Sequence, residues 1–311
     1  MKIAVTGGDG RLGRLLVSRL KKRHSVVSVG LNDPGITGVR FAKADLLKDG
    51  LAGVFRNIDA VAHLAGTVDY SLPEARVFEL NAEMTERVVQ ACRKAGVKRL
   101  VLASSTSVYH GAYAGKISER SPVRPANAYG RSKLAAEAAV KRSGVPFVVL
   151  RLNTVYGPGF KEGFLKVARA IKSGKQKIIG SGENRVGLLY ADDAVDALEK
   201  ALEKKSALGK TIIISSGEQP TQRACLARLA EALGVPAPCE SMPAWLAYAL
   251  ASAYECRARL FGGKPRLRRE DVRTLAEDRV FDVRLAKRAL GFKAAVRFEK
   301  GVKRTVKGWV A

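Results

Sequence analysis

The chain has 311 residues, enough for one large or two coupled domains around a sizeable core, which excludes a peptide or a lone binding module. Hydrophobic residues make up 47% and charged residues 27%, ordinary globular usage that excludes disordered, collagen-like and coiled-coil chains. The outlier is charge: 55 Lys and Arg against 29 Asp and Glu leave +26, an excess that suits a phosphorylated cofactor, nucleic acid or a membrane surface and selects none of them.

In chain order, short apolar runs alternate with amphipathic stretches: strand 3–6 and helix 11–23, strand 25–29, strand 60–64 and helix 74–95, strand 99–103 and helix 129–143, then strand 145–150. This rhythm predicts βαβ units, hence an α/β fold with a doubly wound parallel sheet. The first strand runs into Thr6-Gly7-Gly8-Asp9-Gly10-Arg11-Leu12-Gly13, so glycines at 7, 10 and 13 open the first helix. Glycine lets the backbone approach a dinucleotide pyrophosphate, and a helix N-terminus offers unpaired N–H groups and a positive dipole end. Past residue 150 the sequence predicts a turn-rich exit through Tyr156-Gly157-Pro158-Gly159 and a helix over 164–172. A strand at 188–190 follows, leading to a helix over 194–204 capped by Asp192 and Asp193, and then a strand at 211–215. From Pro220 onward the chain reads as mostly helical and more basic. The expected organisation is a dinucleotide-binding domain over 1–158 with a returning segment near 187–218, and a smaller, mainly helical substrate lobe from 159–186 and 219–311.

Tyr129 and Lys133 stand four apart at a predicted helix start, on one face. An ammonium beside a phenol favours the phenolate and brings it toward the working range of a general acid or base. About two dozen residues earlier, Ser104-Ser105-Thr106-Ser107-Val108-Tyr109 leaves a strand end with hydroxyls able to bind a substrate oxygen. Cys92, Cys225, Cys239 and Cys256 form no CxxC pair and no histidine cluster completes a zinc site, so no metal is expected. The N-terminus passes from Met1 to Val5 straight into glycines, without the apolar region of a signal peptide, and is read as cytoplasmic. The apolar run over 243–254 is shorter than the roughly 20 residues that cross a bilayer.

These motifs together resemble the extended branch of the short-chain dehydrogenase/reductase superfamily, of NAD-dependent epimerase/dehydratase type. The resemblance rests on the glycine loop, Asp45-Leu46, His63-Leu64-Ala65-Gly66, Asn81 with Thr85, the serines before Tyr109, Tyr129 with Lys133, and Arg151 with Tyr156-Gly157-Pro158. It implies a Rossmann-type fold, Tyr129 as acid/base, Lys133 tuning it and binding the nicotinamide ribose, and Ser105 orienting the substrate oxygen. It implies cofactor contacts at Gly7, Gly10, Arg11, Leu12, Gly13, Asn32, Asp45, Leu46, Ala65 and Gly66, with a structural role for His63, a structural or cofactor role for Asn81, and Ser107 as a further hydroxyl contact. The second strand ends in Gly30-Leu31-Asn32-Asp33, without the early acid that reads a ribose 2′-hydroxyl, and Arg11 can pair with a 2′-phosphate. NADP is therefore expected over NAD.

The C-terminal part, from Leu267 through Asp282 and Phe292 to Trp309, looks like the 3β-hydroxysteroid dehydrogenase and dihydroflavonol reductase branch. That favours an oxidoreductase acting on a secondary alcohol or ketone. A nucleotide-sugar epimerase or dehydratase with retained cofactor is the alternative, weakened because Thr154 stands where such enzymes usually carry asparagine and Asn153 comes one residue early. A non-catalytic dinucleotide sensor is the second alternative. The expected partner is a small molecule, with no nucleic acid, since no aromatic-rich basic motif is present. A homodimer through helices 79–94 and 129–143 follows the family habit. Weak membrane-surface contact is a further expectation: the apolar stretch 244–250 precedes residues 257–311, where 17 Lys and Arg face 6 Asp and Glu.

Overall fold

The computed structural model describes residues 1–111, 113, 115–160, 163–263 and 265–310. Strands β1 (Lys2–Thr6), β2 (Ser25–Gly30), β3 (Arg40–Lys43), β4 (Ala60–His63), β5 (Arg99–Ser105) and β6 (Phe147–Leu152) are joined by helices α1 (Arg11–Leu20), α2 (Glu74–Phe78), α3 (Met84–Lys94) and α4 (Ala128–Arg142). Next come β7 (Thr154–Tyr156), α5 (Phe164–Lys172), β8 (Ile178–Ile179), β9 (Leu188–Tyr190), α6 (Ala191–Glu203) and β10 (Lys210–Ile214). The remainder is α7 (Gln222–Leu233), β11 (Ser241–Met242), α8 (Ala244–Phe261), α9 (Arg269–Ala276), α10 (Arg284–Leu290) and α11 (Phe298–Val310).

Seven parallel strands form one sheet in the order β10-β6-β5-β4-β1-β2-β3. Because both faces are covered by helices, the central strands are apolar throughout rather than alternating. Ile3, Val5, Val148 and Leu150 pack with Leu16, Val17 and Leu20 of α1 and Ala194 and Leu198 of α6. Their sequence neighbours Ala4, Val61, Leu100 and Val149 point the other way, onto Val88 of α3 and Ala136 and Val140 of α4. The strand order reverses between β1 and β4. At such a switch point the crossovers leave to opposite sides and open a crevice beyond the carboxyl ends of the strands, which is where a ligand fits.

The edge strand β3 was not anticipated: its four residues, Arg40-Phe41-Ala42-Lys43, carry no apolar run and none of them is buried. Helix α6 begins at Ala191, so Asp192 and Asp193 lie in its first turn instead of capping it. The Asp193 carboxylate accepts from the backbone N–H groups of Ala295 and Val296, at 2.8 and 3.3 Å, and so ties the C-terminal segment to the sheet domain. Helix α10 also returns to that domain, with Ala286, Ala289, Leu290 and Phe292 in the same core as β10. The core thus draws on residues beyond 219. A separate core, with Tyr156, Ile171, Ile178, Tyr190, Leu226 and Val302, holds α5, α7, α11 and the β7–β9 pair together.

Candidate active site

Every residue drawn from the strand ends sits along one crest. At the switch point, Gly7 has φ +69°, and a Cβ there would stand 2.8 Å from the Ala65 nitrogen, while one on Gly13 would stand 2.0 Å from the Gly7 carbonyl oxygen. At Gly7 and Gly13 no side chain larger than hydrogen fits between β1, α1 and the end of β4. Gly10 precedes α1 without a side-chain cap, so the first-turn N–H groups of Arg11, Leu12 and Gly13 have no intrahelical acceptor and face outward toward an anion. Ala65 and Gly66 leave β4 beside this loop, and Asp45 and Leu46 follow β3 beyond Gly30. Leu46 is buried in the core, and the Asp45 carboxylate accepts from the Leu47 N–H at 2.9 Å, so it also caps its own turn.

On the far side of β4, the N-terminus of α4 carries Tyr129. Asn127 caps the helix by accepting from the Gly130 N–H at 2.7 Å, fixing Tyr129 in the first turn. Burial pushes the Tyr129 phenol up, and a hydrogen bond with the Ser105 hydroxyl pulls it partly back. Ser105 in turn accepts from the Ser107 N–H at 3.1 Å and donates to the Ser107 hydroxyl at 3.1 Å. Lys133, one turn beyond Tyr129, is buried; its ammonium donates to the Ala103 carbonyl at 3.0 Å. Burial brings it down to about 8, against an opposing pull from the Glu137 carboxylate. The ammonium is thus directed at the backbone, one turn behind the phenol, and Ser105 is the group that lowers the phenol here.

Residues 3–215 match the NAD dependent epimerase/dehydratase family. The chain belongs to this family. It is similar to the 3beta-hydroxysteroid-dehydrogenase/decarboxylase isoform 1 of Arabidopsis thaliana, 30% identical over 97% of this chain and 78% of that protein. It is also similar to the 2-alkyl-3-oxoalkanoate reductase of Stenotrophomonas maltophilia, 28% identical over 98% of each chain. Among solved structures, MoeE5 in complex with UDP-glucuronic acid and NAD superposes with a TM-score of 0.80 at 28% identity, covering 100% of this chain and 99% of that one. The sheet domain, the glycine loop and NAD dependence are those of this family of dehydrogenases and epimerases.

Several side chains hold this family member's site together, and among them Glu137 belongs to no motif of the sequence. Glu137, fully buried, accepts from Arg151 at 2.9 and 2.7 Å, from Ser104 at 2.6 Å and from Lys141 at 3.2 Å, while Arg151 also donates to the Tyr109 hydroxyl. Burial would raise the Glu137 carboxyl, but Arg151 outweighs it and keeps it ionised. Glu137 lies four residues after Lys133, on the same helical face, and that spacing was the one available signal. His63 bridges Thr6 at 2.6 Å and Thr85 at 3.0 Å. Thr85 donates to the Asn81 carbonyl, so Nε2 of His63 is the protonated nitrogen and Nδ1 accepts from Thr6. Burial and the neighbouring Lys133 hold the imidazole neutral, down to about 3. Asn81 uses its amide on both backbone groups of Thr67 and on the Ser132 hydroxyl, pinning the loop after Gly66 against α4.

That loop places Tyr70 edge-on to Tyr129, with ring centres 5.7 Å apart, and the Tyr70 hydroxyl meets Ser107. Beyond Tyr70 lie Glu270 of α9 and Arg279; Arg279 donates to His110 at 2.8 Å and to Glu277 at 3.0 Å. Burial alone would raise Glu277, yet His110 and Arg279 bring it down to about 2. Asn153 is buried and spends its amide on Ser215, Thr106 and the Thr154 N–H. Arg11 stacks over Phe160 at 5.9 Å, on the side of the β7 turn. The group that faces Gly30 is instead Asp9: a Cβ on Gly30 would stand 3.4 Å from its carboxylate, whose other oxygen accepts from Asn32 at 3.1 Å.

Proposed function

We propose that this protein is an oxidoreductase that interconverts a secondary alcohol and a ketone, with Ser105, Tyr129 and Lys133 as its reactive set. The observation that carries the reading is the placement of Ser105, at the end of β5, beside the Tyr129 phenol at the start of α4, which burial keeps protonated: a hydroxyl and a proton donor stand together where a carbonyl oxygen would gain charge during reduction. The dinucleotide fits the crest on structural grounds. Gly7 and Gly13 are closed to any side chain, the α1 N-terminus is uncapped, and Lys133 is buried one turn behind Tyr129. Gly7, Gly10, Leu12 and Gly13 would hold the pyrophosphate, Ala65, Gly66 and Lys133 the nicotinamide half, and Asn32, Asp45 and Leu46 the adenosine half. When bound, the nicotinamide exchanges a hydride with the substrate carbon. Ser105 orients the substrate oxygen, Tyr129 passes the matching proton, and Tyr70 covers the phenol from the cleft side.

Both supports for NADP change once the side chains are placed. Arg11 stands at the Phe160 turn, and the Asp9 carboxylate occupies the position beside Gly30 from which an acid accepts the ribose 2′-hydroxyl and repels a 2′-phosphate. The proposal is therefore NAD, with its acid supplied by the glycine loop. Calorimetry with both cofactors tests this: NAD should bind at least tenfold tighter, and Asp9→Ser should narrow that gap by roughly tenfold, about 1.4 kcal/mol. Tighter NADP binding to the wild type would reverse the assignment.

Relatives matched along nearly the whole chain, the reductase and the steroid dehydrogenase, support net oxidoreduction. The likeness to a protein that holds UDP-glucuronic acid and NAD supports a second reading, a nucleotide-sugar epimerase with retained cofactor. Against it, the Asn153 amide is consumed by the scaffold, in bonds to Ser215 and the Thr154 N–H. A panel of alcohols and ketones followed at the nicotinamide absorbance separates the two. Oxidoreduction changes absorbance mole for mole with product, whereas epimerisation of a UDP-sugar without added cofactor and without net absorbance change would promote the second reading.

A further inference from the structure

Helix α8 is built the wrong way round for a core helix. Its buried residues are Ala247 and Ala251, which rest on Val272 of α9 beside the half-buried Tyr248, while four of its large apolar side chains are exposed. Trp245 is 71% exposed, Leu250 38%, Leu260 72% and Phe261 82%. At 100° per residue, Trp245, Ala249, Cys256 and Leu260 fall on one stripe, while Leu250 and Phe261 lie about 80–100° further round, with Arg257 between them and the stripe, over a helix about 27 Å long. Large apolar side chains left exposed together on one helix mark an interaction site.

The charges around this face indicate what covers it. Arg257, Arg259 and Arg266 are exposed and have no acidic partner among the described residues; the nearby Glu255 is already engaged by Arg269, through its N–H at 2.9 Å and its Nε at 2.8 Å. Pairing of this face with a second copy would set two such arginine groups against each other without acids to separate them. No helix among the described residues is long and apolar enough to cross a membrane, so the face can lie on a bilayer but not pass through it. We propose that α8 docks the protein on an anionic lipid surface, with Trp245, Leu260 and Phe261 entering the headgroup boundary and Arg257, Arg259 and Arg266 meeting lipid phosphates. The proposal is independent of the reaction assigned above, because its test needs no turnover.

Full-length protein is mixed with vesicles of phosphatidylcholine alone or with an equal share of phosphatidylglycerol, and pelleted at low and physiological salt. At least tenfold more protein is expected with the anionic vesicles at low salt, with partial release as salt rises. Leu260→Glu with Phe261→Glu, both at exposed positions, should reduce that binding at least tenfold while leaving thermal unfolding unchanged. In a Trp309→Phe background, Trp245 is the sole tryptophan and its emission should shift to the blue on anionic vesicles. Equal recovery in the supernatant with both vesicles at low salt overturns the proposal. So does binding that survives the double variant but is lost on charge reversal at Lys300 and Lys307 of α11, or a dimer in sedimentation that the double variant dissolves.

Discussion

Tyr129 keeps its proton because burial disfavours the phenolate more than the Ser105 hydrogen bond favours it, so the side chain stands ready as an acid for ketone reduction. Tyr129→Phe removes the transferable proton and little volume. Turnover on a confirmed substrate should fall by two to four orders of magnitude, roughly the worth of a positioned acid, with the calorimetric cofactor affinity nearly intact. Lys133 behaves differently. Its ammonium is present below about 8 and is lost above it, so the attraction to an anionic dinucleotide should weaken as pH rises through that value. Cofactor titrations at pH 6.5 and 9.5 should show this loss in the wild type, and a flat, weaker profile in Lys133→Met. Asp9 illustrates what a motif leaves open: its place inside the glycine loop is plain in the sequence, but that its carboxylate faces Gly30 depends on how β1 and β2 lie side by side.

Helix α4 and strand β6 are joined by the Glu137–Arg151 pair, which is dry on both sides. Removing only the acid strands a buried guanidinium, so Glu137→Leu should cost about 3–5 kcal/mol in urea unfolding. Adding Arg151→Met should return most of that loss, since the pair is then replaced by apolar volume. A π-helical turn at Glu79–Glu83 separates α2 from α3 and points Asn81 and Thr85 at β4 and its loop. Through Thr85 it also fixes His63 as a neutral imidazole. With a folded value near 3 against about 6.5 when unfolded, the unfolded chain binds the extra proton in that window. His63 should therefore subtract stability as pH falls from about 6.5 toward 3, by up to about 1.4 kcal/mol per pH unit. Denaturant midpoints of the wild type and His63→Asn should converge as pH falls through that window if this sign is right. A helix over 74–95 was legible from its period; the extra residue in the turn was not, because periodicity tolerates one slip.

The molecule as a whole carries +26, and like charges at that density repel in the folded state more than in the expanded one. Raising ionic strength from about 0.01 to 1 M shrinks the screening length from about 30 to 3 Å, so the thermal midpoint should rise with sodium chloride, by about 2–4 °C for each kcal/mol of repulsion relieved. A midpoint that falls with salt would mean that the surface pairs, such as those of Arg19 and Arg23 with Glu199, outweigh the excess.

Apart from the edge strand β3, the order of strands and helices through β6, the glycine loop at the switch point and the pairing of Tyr129 with Lys133 follow from local pattern alone, because periodicity, turn chemistry and one-face spacing act over a few residues. What those residues do to one another depended on contacts made across the sheet. Ser105 lies 24 positions before Tyr129, Glu137 meets Arg151 across two elements, Asp193 reaches Ala295, and Tyr70 leans on Tyr129 from a loop without periodicity. The same limit applies to α8: its composition is apolar either way, and only packing on α9 decided that alanines go inside and Trp245, Leu260 and Phe261 remain in contact with solvent. Local sequence determines which segments bury a face. The direction in which that face turns, and the polar groups it meets, are set by the rest of the chain.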